Sequence, residues 1–356
     1  MDLAELLLFA KKEGASDLHI SAGEPPIIRV DGEITKVDAP PLRKEEVHTV
    51  LYDILNDYQR KVFEEKHELD FSFEFKGVGR FRVNAFVQLR GEAVAFRVIP
   101  DRIPTIESLG LPPVVKELTQ RPNGLILVTG PAGSGKSTTL AAMIEQLNQR
   151  EKLHIITIED PIEFIYEPKN CLINQRELGA HTHSFAAALR AALREDPDVI
   201  LAGEMRDLET IGLAMTAAET GHLVLSTLHT PGAASTVTRI IDVFPAAQQA
   251  LIRAAFAEAV TAVVSQFLFR RKEGKGMVPA AEVMIGIPAI RNLIREGRVS
   301  QIPSAMHTGR NYGMQTMDFA LVELYKKNLV EKDTILPYLS SPEVLKSLLG
   351  PVEGVT

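Results

Sequence analysis

LILVTGPAGSGKSTTLAAMI, residues 125–144, sets an apolar run of strand length, a glycine-rich turn and the start of a helix in direct succession. Gly130, Gly133, Gly135, Lys136 and Ser137 fit the phosphate-loop spacing G-x-x-x-x-G-K-S. The flanks suit it, because LILVT reads as a strand and STTLAAMIEQLNQ as a helix. Glycine allows a turn tight enough to aim backbone N–H groups at phosphate oxygens, and the helix adds the positive end of its dipole. Gly130, Pro131, Ala132, Gly133, Ser134, Gly135, Lys136, Ser137 and Thr138 are therefore the expected cradle for ATP. Lys136 is expected to reach the β- and γ-phosphates, and the Ser137 hydroxyl to ligate Mg²⁺.

Hydrolysis needs more than a cradle: an acid to position the metal and a base to orient water. DVILAGEMRD supplies an apolar strand ending at Gly203-Glu204, which predicts a carboxylate beside the loop at the strand's C-terminal edge. The strand in HIITIEDPIEF ends in Glu159, Asp160 and Glu163, with Pro161 turning the chain over the site. Singly, such acids are ordinary solvated loop residues; three at one strand end favour a functional edge. His222 and His229 bracket the strand in GHLVLSTLHT. No carboxylate or cysteine shares a ligand-like spacing with them, so γ-phosphate sensing is expected in place of metal binding. Cys171, His181 and His183 could form a metal trio, but Ser184 reads better as the N-cap of the helix FAAALRAALRE.

Outward from this centre, the chain reads as two units. Residues 1–99 alternate short strands with three helical stretches, a small α+β domain. Residues 100–112 carry prolines and no periodicity, a connector. From residue 113 to 356, apolar strands alternate with helices as in a parallel sheet, and after about Phe244 the pattern is almost wholly helical, AQQALIRAAFAEAVTAVVSQFLF included. With 356 residues and 45% apolar content the chain can bury a large core, while a formal charge of −7 offers no global field for nucleic acid. One cysteine permits no intrachain disulfide, which fits a reducing cytoplasm. No run of about 18 apolar residues occurs, so membrane contact is expected to be peripheral or through a partner.

GPAGSGKSTT, IEDPIEF, LAGEMRDLETI and GHLVLSTLHT together resemble the secretion-type ATPases, and within them the type IV pilus retraction ATPases, over residues 1 to about 330. The resemblance implies a PAS-like N-terminal domain followed by a RecA-like ATPase domain with a helical C-terminal part, assembled as a homo-hexamer. It also implies that Glu204 holds the Mg²⁺ shell, that Glu163 is the general base, and that Arg80, Arg82 and Arg97 are the cationic positions closing over the nucleotide. Alternation puts Arg80 and Arg82 on one strand face, where they could neutralise transition-state charge; a solvated strand edge is the plain alternative. Arg206 and Arg239 are weaker candidates for contacts across subunits. AIRNLIREG (Ala289–Gly297) resembles the segment marking retraction-type members and reads as a short helix opened by Pro288 and stopped by Gly297.

The implied function is an ATP-driven motor for pilus retraction and twitching motility, cytoplasmic and peripheral at the inner membrane. Its implied partners are an inner-membrane platform protein and the pilus machinery, with no nucleic acid. Pilus-assembly and type II secretion ATPases of the same superfamily are the alternative, but they usually carry a four-cysteine motif and a longer N-terminal region. A nucleotide-gated DNA-handling or regulatory module is a third possibility, disfavoured by two retained carboxylates and the acidic balance. The chain departs from the family at Ala132, where threonine is common, at LHTPGAAST, and in the Ala- and Phe-rich stretch before residue 276.

Overall fold

The computed structural model describes residues 2–30, 32–99, 102–274, 276–341 and 343–344. Of the expected segments, connector residues 100–101 and tail residues 342 and 345–356 thus lie outside the described residues. The strands are β1 (Asp17–Ser21), β2 (Ile27–Val30), β3 (Glu33–Lys36), β4 (Glu68–Phe75), β5 (Gly79–Gln88), β6 (Gly91–Val98), β7 (Gly124–Thr129), β8 (His154–Glu159), β9 (Leu172–Glu177), β10 (Val199–Ala202), β11 (Leu223–Leu228), β12 (Val260–Arg270) and β13 (Met277–Ile285). The helices are α1 (Leu3–Lys12), α2 (Lys44–Ile54), α3 (Asp57–Lys66), α4 (Val114–Leu118), α5 (Lys136–Arg150), α6 (Phe185–Ala192), α7 (Leu208–Glu219), α8 (Ala233–Asp242), α9 (Gln249–Ala259), α10 (Pro288–Arg295), α11 (Ile302–Thr308), α12 (Met317–Lys326) and α13 (Lys332–Ile335).

The chain divides into two compact units, Met1–Arg102 with Pro161–Ile165, and Ile103–Asp160 with Tyr166–Thr356. In the first, a six-stranded sheet runs β3-β2-β1-β6-β5-β4, every pairing antiparallel. Alternation explains its two faces. Phe81, Val83 and Ala85 of β5 are buried in the same core as Leu7 of α1 and Val47 and Leu51 of α2, whereas Arg80, Arg82 and Asn84 point the other way. Phe81 and Phe96 meet edge-on in that core with ring centroids 6.4 Å apart.

The second unit is built on a seven-stranded sheet, β13-β12-β7-β11-β10-β8-β9, parallel except for the β12–β13 pair. Every residue of β7, β10 and β11 is buried, which is why these strands read as nearly continuous apolar runs, broken only by small hydroxyl residues such as Ser226 and Thr227. At roughly 1.5–3 kcal/mol for each large aliphatic side chain, their burial is a major stabilising contribution.

One expectation fails here. The helix predicted through AVTAVVSQFLF ends at Ala259, and Val260–Arg270 is a strand pairing β7 on one side and β13 on the other. Val260, Val263 and Val264 are β-branched and fully buried, so a strand covered on both faces shows no period-2 alternation. α12 and α13 then cover the outer end of this pair, with Leu321 and Ile335 against Phe269 and Val278.

Candidate functional site

Parallel strands end on one edge of their sheet, and that edge gathers the chemistry of the second unit. β7 ends at Thr129 and the loop 130–135 leads into α5, whose N-cap is Gly135 at φ +85°. Gly133, at φ +74°, has no heavy atom within 4 Å of where a Cβ would lie, and the loop tip Pro131–Gly133 is exposed. Lys136 is 8% exposed, and its Nζ donates to the carbonyls of Gly130 at 3.0 Å and Pro131 at 2.9 Å. A cation tethered inside its own loop and a 15-residue helix starting from it suit a polyphosphate. Ser137 is exposed and Thr138 half-buried in the first turn, so the Ser137 hydroxyl is accessible.

β11 lies between β7 and β10, with Leu228 in register with Thr129 and Ser226 with Ala202. Beyond those strand ends stand His229 and Glu204. Glu204, its side chain 20% exposed, receives Arg206 at 2.8 Å on one oxygen and the His229 Nε2 at 3.4 Å on the other. Burial works against its charged form, but the hydrogen bond and charge of Arg206, together with His229, outweigh it and hold the carboxyl below its usual range. An ionised carboxylate and an accessible hydroxyl on the phosphate-loop edge are hard oxygen donors, the set that fits Mg²⁺. Arg206, a candidate for contact across subunits, is engaged within its own chain.

The remaining expected residues disperse. Glu159 ends β8, three strands from β7, and accepts from the Thr157 hydroxyl at 2.6 Å and the Gln175 amide at 3.3 Å. With strands about 4.8 Å apart, that separates it from the loop strand by about 14 Å. Asp160 follows it on the same side. His222 precedes β11 at the opposite sheet edge, seven positions from His229, about 23 Å at 3.3 Å per residue. Its Nδ1 sits 2.9 Å from the carbonyl of Ala217, at the C-terminal end of α7. The two histidines therefore stand at opposite ends of β11, as their bracketing of the strand predicts, too far apart to meet on one phosphate within a chain. Cys171 and His181 are engaged locally: the thiol lies 3.2 Å from the Glu151 carbonyl, and the His181 Nδ1 accepts from the Glu177 backbone at 2.9 Å. Ser184 caps α6 by accepting from Ala187, as its sequence context predicts.

Glu163 travels with the first unit, because the chain leaves β8 before Pro161 and the segment Pro161–Ile165 packs there. It faces the Arg82 guanidinium at 3.8 Å. Arg82 also approaches Asp70 at 4.0 Å, and Arg80 donates to the Ser72 hydroxyl at 2.9 Å. Arg97 is opposite Arg82 across the β5–β6 ladder and bonds Asp17 at 3.0 Å. The three arginines share one face of interior strands, not a sheet edge, and an acid accompanies Arg82 and Arg97.

Residues 2–327 match the family described as type II/IV secretion system protein. The chain belongs to that family. It is 57% identical over 343 residues to the type IV pilus retraction ATPase PilT of Pseudomonas aeruginosa, covering 96% of this chain and 99% of that one. It is 54% identical over 305 residues to a twitching motility protein of Neisseria gonorrhoeae, covering 86% and 82%. A crystal structure of the pilus retraction motor PilT with bound ADP superimposes with a TM-score of 0.89 at 47% identity, over 96% of this chain and 98% of that one. The architecture is thus the α/β one that the motif set implied, an N-terminal domain followed by a RecA-like ATPase domain.

Nothing in the motif set points to Gln266, which reaches the phosphate loop from β12. The signal available was a polar residue inside the run VTAVVSQFLF, a position that burial makes costly unless its amide is bonded.

Proposed function

We propose that this chain is a Mg²⁺-dependent ATPase motor that drives type IV pilus retraction, and with it twitching motility. The observation that carries this is the grouping of the phosphate loop, Glu204 and His229 on one sheet edge, in a chain matching a pilus retraction ATPase along nearly the full length of both. An end-to-end match also favours retraction over the assembly and secretion alternatives.

In this mechanism the backbone N–H groups of the loop bind the phosphates, and Lys136 exchanges the Gly130 and Pro131 carbonyls for phosphate oxygens. Ser137 and Glu204 would hold Mg²⁺, which supplies charge neutralisation on the phosphates when bound. His229 orients the Glu204 carboxylate. Glu163 takes the proton of the attacking water, and Arg80, Arg82 and Arg97 offset charge on the transferring group. The working state is a homo-hexamer, peripheral at the cytoplasmic face of the inner membrane, engaging a platform protein of the pilus machinery. In support of a peripheral location, no helix among the described residues is long and apolar enough to cross a membrane.

The test is ATP hydrolysis by the purified chain with and without Mg²⁺, alongside Glu204→Ala. Loss of turnover on chelation and in the variant is expected. Unchanged turnover in Glu204→Ala would remove the assignment, and failure to restore retraction in a pilus-bearing strain lacking its own retraction ATPase would remove the motor role.

A further inference from the structure

β12 runs parallel to β7 with Ser265 in register with Thr129, and the next residue, Gln266, is 1% exposed. Its carboxamide is bonded at both ends to the phosphate-binding element. Nε2 donates to the carbonyl of Ser134 in the loop at 2.6 Å, and Oε1 accepts from the hydroxyl of Thr139 in the first turns of α5 at 2.9 Å. The partners fix this polarity. A backbone carbonyl can only accept, so the amide NH₂ must face Ser134, and the hydroxyl must then donate to Oε1.

Two loop glycines are shaped around the same residue. A Cβ at Gly130 would lie 2.2 Å from the Gln266 carbonyl oxygen, and one at Gly135 would lie 3.0 Å from the Gln266 Nε2. β12 therefore approaches the loop closely enough for one side chain to govern its shape. The carbonyl and N–H of a trans peptide point in opposite directions. Drawing the Ser134 carbonyl toward β12 consequently turns the Gly135 N–H away from it.

We propose that Gln266 is a positioning residue for the phosphate loop: by bridging the Ser134 carbonyl and the Thr139 hydroxyl, it holds the loop N–H groups in their nucleotide-binding orientation before nucleotide arrives. The proposal rests on the nucleotide assignment of the loop. Without the bridge, part of the binding energy is spent ordering the loop, a loss shared by ground and transition states, so affinity suffers more than kcat.

Gln266→Met keeps the volume and removes both hydrogen bonds; Gln266→Glu keeps the shape but sets a carboxylate oxygen against the Ser134 carbonyl. ADP binding to the purified full chain, measured calorimetrically, and steady-state ATP hydrolysis are the readouts. Expected are an ADP Kd raised about tenfold in Gln266→Met and further in Gln266→Glu, a KM that follows it, and a kcat within about threefold of wild type. A purely structural role would lower the melting temperature and the active fraction while leaving Kd and KM of the folded protein unmoved, and that result overturns the proposal. Should Gln266→Met fail to fold, Thr139→Val carries the test, because it deletes one donor and leaves the Ser134 bond. A two- to threefold rise in ADP Kd is then expected, on the order of a single weakened hydrogen bond, and no change overturns the proposal. A wild-type chain that binds no ADP overturns the nucleotide assignment itself, whereas equal binding by wild type and variants overturns the Gln266 role alone.

Discussion

Glu282 on β13 links the loop after His229 to the C-terminal helices, and its removal has a magnitude that follows from two hydrogen bonds. Its Oε1 accepts from the Ala233 N–H, the first of α8, at 2.7 Å, and its Oε2 from the Met317 N–H, the first of α12, at 3.2 Å. Glu282→Ala orphans both helix-terminal donors, at about 1–3 kcal/mol each, while relieving the cost of enclosing a carboxyl. A net loss of about 2–4 kcal/mol is expected. In a unit of this size about 1 kcal/mol moves the thermal midpoint by about 2–4 °C, so the fall should be close to 10 °C. Glu282→Gln keeps one acceptor oxygen and should lose about half as much.

Acidity gives a second handle on the same residue. Burial raises the Glu282 carboxyl above the ordinary 4.5, the Ala233 and Met317 N–H groups pull it partly back, and Asp318 raises it further. A folded pKa above the unfolded one means that the folded state holds more protons between the two. Stability from this group is therefore present below about 4.5 and lost as pH rises through the folded value, a slope that both variants should lack. The assay is thermal unfolding from pH 4.5 to 8, with the transition of the ATPase unit followed separately. A Glu282→Ala midpoint within about 1 °C of wild type at neutral pH would refute the bridging role.

Other outcomes are as definite. Arg206→Ala removes a partner that keeps Glu204 ionised against burial, so the acid limb of the hydrolysis profile should move to higher pH; an unmoved limb in the pH–rate curve would count against that pairing. Gly130→Ala places a Cβ 2.2 Å from the Gln266 carbonyl at a φ of +139°, and should abolish ADP binding in a calorimetric titration. Leu293→Ala should impair retraction more than hydrolysis when motility and turnover are compared, since α10 is distant in sequence from the catalytic strands and buries Ile290 and Ile294 in its packing face. Equal losses would remove a coupling role.

α10 also shows how far residue spacing reaches. Pro288 opens it at the first turn and Gly297 follows its end at φ +72°, as the sequence predicts. Arg291, which periodicity assigns to a polar side, instead donates to the carbonyls of Gly286 at 2.7 Å, Glu258 at 2.7 Å and Val260 at 3.2 Å. It thereby ties α10 to the junction of α9 and β12. A guanidinium with five donors can satisfy several carbonyls at once, and which ones it meets is a matter of chain path.

The local code by itself determined the phosphate loop, the strands that feed it and the residue types at their tips, because glycine freedom, helix start signals and nearly continuous apolar runs act over a few neighbours. Tertiary structure alone decided that Val260–Arg270 is a strand and that Glu163 packs with the first unit beside Arg82. Those outcomes depend on which strands become neighbours. A strand buried on both faces carries no periodic mark, and the direction in which a parallel strand enters its sheet is set by pairing with residues about 136 positions away, as between Ile126 and Ala262.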